Sequence, residues 1–264
     1  MTNAPRALLL FDIDGVIRDV GGSYRRAIAA TVQQFGGPAP SLAAIDSLKA
    51  EGCWNNDWEA SLELLRRSGI TPLPPFAAVV EVFNGFYFGG DPDGDPGQWQ
   101  GFIREEPLLV EPGFFAGISA AGLAWGFVSG AEPPSARFVL EARLGLTAPP
   151  LIAMGDAPDK PDPTGLLALA ARLEGTAGPL PLAYVGDTVA DVLTVVRARG
   201  ADPRRPLKAI GVLPPHRGAE GPAGPYGDQL RAAGADLVLA GVTDLDPTAL
   251  AAALRGDVPW PPAA

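Results

Sequence analysis

Ala7-Leu8-Leu9-Leu10-Phe11-Asp12-Ile13-Asp14-Gly15-Val16 is an unbroken apolar run that ends on two carboxylates spaced two residues apart. The run reads as a strand, and the acids stand where it stops. Strand alternation sends Asp12 and Asp14 to the same side if the chain stays extended, while Gly15 lets the backbone turn where a side chain would obstruct it. Two like charges that close repel. The pair therefore needs a bound cation, a protonated member or full solvation. Taken alone it reads first as a solvated strand-end turn, because Asp and Gly are good turn formers. The rest of the chain has to decide.

The chain has 264 residues, 47% of them hydrophobic, enough for one large domain or a core with a smaller partner. Its 33 glycines and 29 prolines fall mostly between apolar runs, as in Gly36-Gly37-Pro38-Ala39-Pro40, and read as loops and helix breakers. A formal charge of -10 argues against nucleic acid or an anionic membrane as a partner, since phosphate surfaces call for clustered Lys and Arg. One cysteine, Cys53, excludes an internal disulfide, and one histidine, His216, excludes the usual zinc sets and histidine-dependent triads within one chain. Any metal must then be held by oxygen. The N-terminus lacks a signal pattern and no apolar run reaches membrane-spanning length, so a cytoplasmic location is expected.

Outward from the first strand, short apolar runs recur, each followed by a Gly- or Pro-marked turn and a helical pattern. Candidate strands are Leu123 to Val128, Leu151 to Met154, Leu182 to Val185, Leu207 to Val212 and Asp236 to Ala240, with helical spacing in Ala136 to Leu144 and Val189 to Ala198. The expectation is an α/β fold, a Rossmann-like three-layer core on a parallel sheet. Between Gly21 and about Leu109 the rhythm changes to helices alone: Tyr24 to Phe35, Ser41 to Ala50, Trp58 to Arg67 and Phe76 to Phe88. Residues 1–21 and 110–264 are thus expected to form the core, and 22–109 an inserted helical cap.

In open α/β sheets ligands bind beyond the carboxyl ends of the strands. Asp12 and Asp14 end the first strand, Ser129-Gly130 the second, Lys160 follows the third, and Asp187 and Asp191 follow the fourth. Lysine is scarce here (Lys49, Lys160 and Lys208), and Lys160 stands just ahead of a helical stretch, where it could share an anion with a helix N-terminus.

With these residues in order, the chain resembles the haloacid dehalogenase (HAD) superfamily, subfamily IA with a helical C1 cap, of the phosphoglycolate phosphatase and β-phosphoglucomutase kind. Asp12-Ile13-Asp14-Gly15-Val16 resembles its first motif, Ser129 the second, Lys160 in Lys160-Pro161-Asp162-Pro163 the third, and Gly186-Asp187-Thr188-Val189-Ala190-Asp191 the fourth. The resemblance implies a Mg2+-dependent phosphomonoester hydrolase acting on a small phosphorylated metabolite. It implies Asp12 as nucleophile, Asp14 as proton carrier, and Ser129, Gly130 and Lys160 as phosphate ligands. Asp12, the Asp14 carbonyl and Asp187 would hold the metal, with Asp191 in support. Dehalogenation is disfavoured, because that branch lacks the second acid.

Two alternatives stay open: a β-phosphoglucomutase-like mutase, although Tyr24 stands roughly where the mutase has a histidine, and a silent ligand-sensing or scaffold protein. Substrate choice is expected in the cap, at Lys49, Trp54, Asn55 and Asn56, where amides could bind hydroxyls and an indole could stack on a sugar face. Each has a plainer reading, as an exposed helix charge for Lys49, cap packing for Trp54 and a helix start for Asn55-Asn56.

Overall fold

The structure, a computed structural model, describes residues 5–51, 54, 56–176 and 178–261. The chain divides into two compact units, Met1–Asp19 with Leu108–Ala264, and Val20–Pro107.

The first unit is built on six parallel strands, β1 (Ala7–Phe11), β2 (Leu123–Val128), β3 (Leu151–Ile152), β4 (Leu182–Gly186), β5 (Leu207–Val212) and β6 (Leu237–Leu239). Their order is β3-β2-β1-β4-β5-β6. All five residues of β1 are fully buried, which explains why the strand shows no polar alternation: helices cover both of its faces. Leu8 and Leu10 point into a core with Leu166 and Leu169 of α7 (Thr164–Glu174), Val192 and Val195 of α8 (Val189–Ala201), and Leu230 of α9 (Pro225–Ala233). On the opposite face Phe11 meets Phe114 and Phe115 of α5 (Phe114–Ala120) edge to face, at 6.0 and 5.7 Å between ring centroids, and α10 (Pro247–Arg255) packs beside them. The result is the expected three-layer sandwich.

From β1 the sheet grows through β2 to β3, then returns to the other side of β1 and grows through β4 to β6. Growth reverses between β1 and β4, and at such a switch point the loops leaving the two strands part and open a crevice. Asp12 and Asp187 follow those two strands.

The second unit contains α1 (Tyr24–Gln34), α2 (Leu42–Ala50), α3 (Asp57–Arg67) and α4 (Phe76–Tyr87). Ile28, Val32, Leu65, Val79 and Phe83 fill its centre, and Tyr24 stacks on Tyr87 with ring centroids 4.5 Å apart. Each helix lies within two residues of its sequence-based bounds. Among the described residues no helix is long and apolar enough to cross a membrane.

Two local features depart from what spacing and residue type suggest. The helix read over Ala136 to Leu144 begins earlier, as α6 (Pro133–Arg137), and continues with wider π-type spacing over Phe138–Arg143. Arg205 is buried, although arginines are mostly exposed, in an ion pair with Glu174 and donates to Asp202 at 3.0 Å. Its partner lies in α7, 31 residues away, and that distance hides the pairing in the sequence.

Because Leu10 is fully buried in the central strand, Leu10→Ala is expected to cost about 2–5 kcal/mol in denaturant unfolding. Leu42→Ala, at a side chain 62% exposed, is expected to change stability by less than about 0.5 kcal/mol.

Candidate active site

The site is assembled by two glycine-dependent turns. Pairing beside β4 continues one residue past β1, with the Asp12 amide donating to the Val185 carbonyl at 2.8 Å. The chain then coils tightly, and the Ile13 carbonyl accepts from the amides of Ile17 and Arg18 at 2.7 and 3.2 Å. Gly15 sits at φ +76°, and a Cβ there would lie 2.0 Å from Asp187 Oδ2. Glycine is required twice over, by conformation and by the approach of the acid. At the last residue of β4, a Cβ on Gly186 would lie 2.2 Å from the Asp191 Cβ. These bare backbone positions let three carboxylates crowd together.

Asp12, Asp187 and Asp191 each offer an oxygen within 4.8 Å of the others, and all three are buried. Lys160 enters this group, with Nζ 3.0 Å from Asp12 Oδ2 and 2.6 Å from Asp191 Oδ1. Burial alone would depress the lysine, but Asp12 and Asp191 outweigh it and hold Lys160 well above the ordinary lysine range, so it is a fixed cation. Burial pushes Asp12 up to about 7 against the attraction of Lys160, with Asp191 and Asp14 adding to the rise. Asp187 is likewise raised well above the ordinary carboxylate range, by burial first and then by Asp191 and Asp12.

The three acids divide by what their oxygens touch. Asp191 Oδ2 accepts from the Thr188 amide and hydroxyl at 3.0 and 2.6 Å, closing a capping box at the start of α8, while Oδ1 takes Lys160. Its oxygens are engaged in orienting the lysine. Asp12 Oδ1 and Asp187 Oδ1 are buried without a hydrogen-bond partner. Orphaned carboxylate oxygens in a cluster that, among the described residues, includes no His or Cys fit a hard divalent cation such as Mg2+.

Asp14 stands outside that cluster of three. Its Oδ1 accepts from Arg18 Nε at 2.7 Å, and Arg18 is fully buried. Ser129 directly follows β2 as a buried residue whose Oγ accepts from the Ala131 amide at 3.2 Å, with Gly130 exposed beside it. Tyr184 links these parts. Its hydroxyl donates to the Val128 carbonyl at 2.7 Å, accepts from Lys160 at 3.3 Å and lies 3.2 Å from Asp191 Oδ1. Arg18 and Tyr184 are the two residues that sequence reasoning missed. The available signals were a cation four residues after Asp14 and a polar tip inside a buried strand.

Of the residues expected to choose the substrate, Lys49, Trp54 and Asn56 are engaged within the helical unit. Lys49 pairs with Asp57, Trp54 Nε1 donates to Glu51 at 2.9 Å, and Asn56 Oδ1 caps α3 by accepting from the amides of Trp58 and Glu59. Asn55 and Cys53 lie outside the described residues.

The folded chain holds the Asp12 proton up to about 7, whereas the ordinary carboxylate releases it near 3.8, so stability is lost as pH rises through that window. In EDTA, the denaturation midpoint is expected to fall between about pH 4 and pH 8, and to fall less in Asp12→Asn. Added Mg2+ is expected to raise Tm more at the alkaline end of the range. Equal slopes for the two proteins would show that Asp12 is not a costly buried charge.

No protein-family model matches the chain. An imidazoleglycerol-phosphate dehydratase from Phytophthora nicotianae is 31% identical over 247 residues, 89% of this chain, but the chain spans only 50% of that relative's length. Three solved structures are similar over 76 to 98% of this chain. A phosphonoacetaldehyde hydrolase-like protein from Oleispira antarctica aligns with a TM-score of 0.63 at 17% identity, covering 98% of this chain and 97% of its own. A HAD family hydrolase from Deinococcus radiodurans R1, with bound phosphate and sodium, gives 0.60 at 19%, covering 96% and 98%. A phosphatase from Thermococcus thioreducens gives 0.60 at 22%, covering 76% and 91%. With the strand order and the strand-end acids, these similarities show that the chain has the haloacid dehalogenase-like fold.

Proposed function

We propose that the chain is a Mg2+-dependent phosphomonoester hydrolase for a small phosphorylated metabolite, working through an aspartyl phosphate on Asp12. The observation that carries this reading is the buried Asp12, held by Lys160 at 3.0 Å and left with one unpartnered oxygen among converging carboxylates. A purely structural carboxylate would be expected to have both oxygens satisfied.

Lys160, Ser129 and Gly130 hold the phosphoryl oxygens. A lysine about 4 Å from a phosphoryl oxygen is worth roughly 4 kcal/mol at an effective dielectric of 20. An Asp12 oxygen forms a bond to phosphorus as the ester oxygen leaves with its electron pair, and Asp14 gives that oxygen a proton. Asp14 then takes a proton from water, whose oxygen bonds to phosphorus while the bond to Asp12 breaks. Inorganic phosphate is released and both carboxylates are restored. Asp12, Asp187 and the Asp14 carbonyl would hold Mg2+, with Asp191 supporting Lys160. Bound there, the ion supplies positive charge that offsets the acids and polarises the phosphoryl group.

The name of the Phytophthora relative specifies a substrate that is itself a phosphomonoester, carrying an imidazole ring. Imidazole-bearing phosphomonoesters therefore belong beside sugar and short organic acid phosphates among the substrates to test.

Phosphate release from an activated aryl phosphate is expected to require Mg2+, to fall about 10⁴-fold or more in Asp12→Asn, and to fall about 10²- to 10⁴-fold in Asp14→Asn with metal binding retained. Interconversion of sugar phosphates under bisphosphate stimulation would favour the mutase alternative. Absence of turnover across a broad metabolite panel would favour the ligand sensor.

A further inference from the structure

We propose that Arg18 is the positioning residue of Asp14, holding one oxygen of that carboxylate so that the other carries the proton in the hydrolysis proposed above. The proposal rests on the phosphohydrolase reading. A fully buried guanidinium is costly to desolvate, by several kcal/mol unless its donors are used. Two of its nitrogens are used, Nε to Asp14 Oδ1 at 2.7 Å and Nη2 to Ser135 Oγ at 2.8 Å. Ser135 is itself fully buried, on the helix that follows the Ser129 turn.

The main chain of Arg18 is fixed as well. Its carbonyl accepts from the Gly15 amide at 2.8 Å, its amide donates to Ile13 at 3.2 Å, and it bridges to Leu108. The guanidinium is thus anchored at both ends before it meets Asp14. Asp14 itself remains 27% exposed at its side chain, so the oxygen not held by Arg18 is the one available to a reacting group. Because the anchor lies outside the cluster formed by Asp12, Asp187 and Asp191, it also keeps Asp14 from joining that cluster as a fourth acid.

Lysine could not replace this arrangement. A single ammonium cannot reproduce a planar fork whose Nε and Nη2 serve two partners. The functional consequence depends on the leaving group. An alkyl ester oxygen departs as a strong base and needs the Asp14 proton as its bond to phosphorus breaks, whereas an activated aryl oxide departs readily without that proton and depends on Asp14 only when water is deprotonated in the second step.

The test compares an alkyl phosphate monoester with an activated aryl phosphate in wild type, Arg18→Lys, Arg18→Met and Ser135→Ala, with Tm measured for each. Arg18→Lys and Arg18→Met are expected to lower kcat on the alkyl ester about 10- to 100-fold more than on the aryl ester, with KM little changed. Ser135→Ala is expected to act in the same direction but more weakly. In an Asp14→Ala background the selective loss is expected to vanish, because the two residues act as one unit. Parallel losses on both esters, tracking a lower Tm, would overturn the proposal and leave Arg18 a structural residue. So would a selective loss that survives in Asp14→Ala. A wild type that turns over neither ester would overturn the hydrolase reading itself, a result distinct from both of these.

Discussion

The placement of Lys160 among three buried carboxylates is the constraint around which the site is built. One ammonium cannot neutralise Asp12, Asp187 and Asp191 together, and with oxygens within 4.8 Å of one another each uncompensated pair of charged acids is worth about 3 kcal/mol of repulsion even at an effective dielectric of 20. A chain that only had to fold would relieve the conflict by exposing an acid or replacing it. Here the fold sustains it: Gly15 and Gly186 remove the side chains that would hold the acids apart, and Asp191 is tied down by its own helix cap. Repulsion sustained between buried acids with orphaned oxygens makes a cluster that could hold a cation.

The sheet explains why the conflict falls at this place. β1 and β4 are neighbours in space but far apart in sequence, and each ends in an acid beside the point where sheet growth reverses. A buried strand exposes its backbone only at its end, so the first polar side chains after β1 and β4 emerge into the same crevice. Tyr184 extends this geometry from within β4. Its hydroxyl reaches the carbonyl that ends β2 and the lysine that follows β3, so neighbouring strands set where the ammonium stands.

Much of this was legible in the sequence, and the boundary of what was legible is physical. β1 reads clearly because burial on both faces forces a continuous apolar run, and α1 to α4 read within two residues because their apolar faces repeat at helical spacing. Asp12, Lys160, Asp187 and Asp191 read as a group because each follows a strand, and strand ends are predictable from such runs. Partners chosen across the fold do not read this way. Nothing near Arg18 points to Ser135, 117 residues later, and nothing near Arg205 points to Glu174. Lys49 reads as a free contact residue until Asp57 is seen to face it. The widening over Phe138–Arg143 leaves no mark in residue type, since π and α spacing draw on the same apolar residues.

The two acids that open the chain resolve the question their spacing raises. If both faced one small volume, one would have to be protonated or both neutralised by the same cation, and their roles could not be separated. The turn at Gly15 sends them into different electrostatic company. Asp12 lies with Lys160 among acids and is raised by burial, while Asp14 has a private cation in Arg18. Separate counter-charges make separate functions possible: a carboxylate that attacks must keep a lone pair directed at its target, and one that carries protons must keep an oxygen open to both the leaving group and water. A single shared cation would serve both acids at once, whereas Lys160 beside Asp12 and Arg18 beside Asp14 give each its own counter-charge.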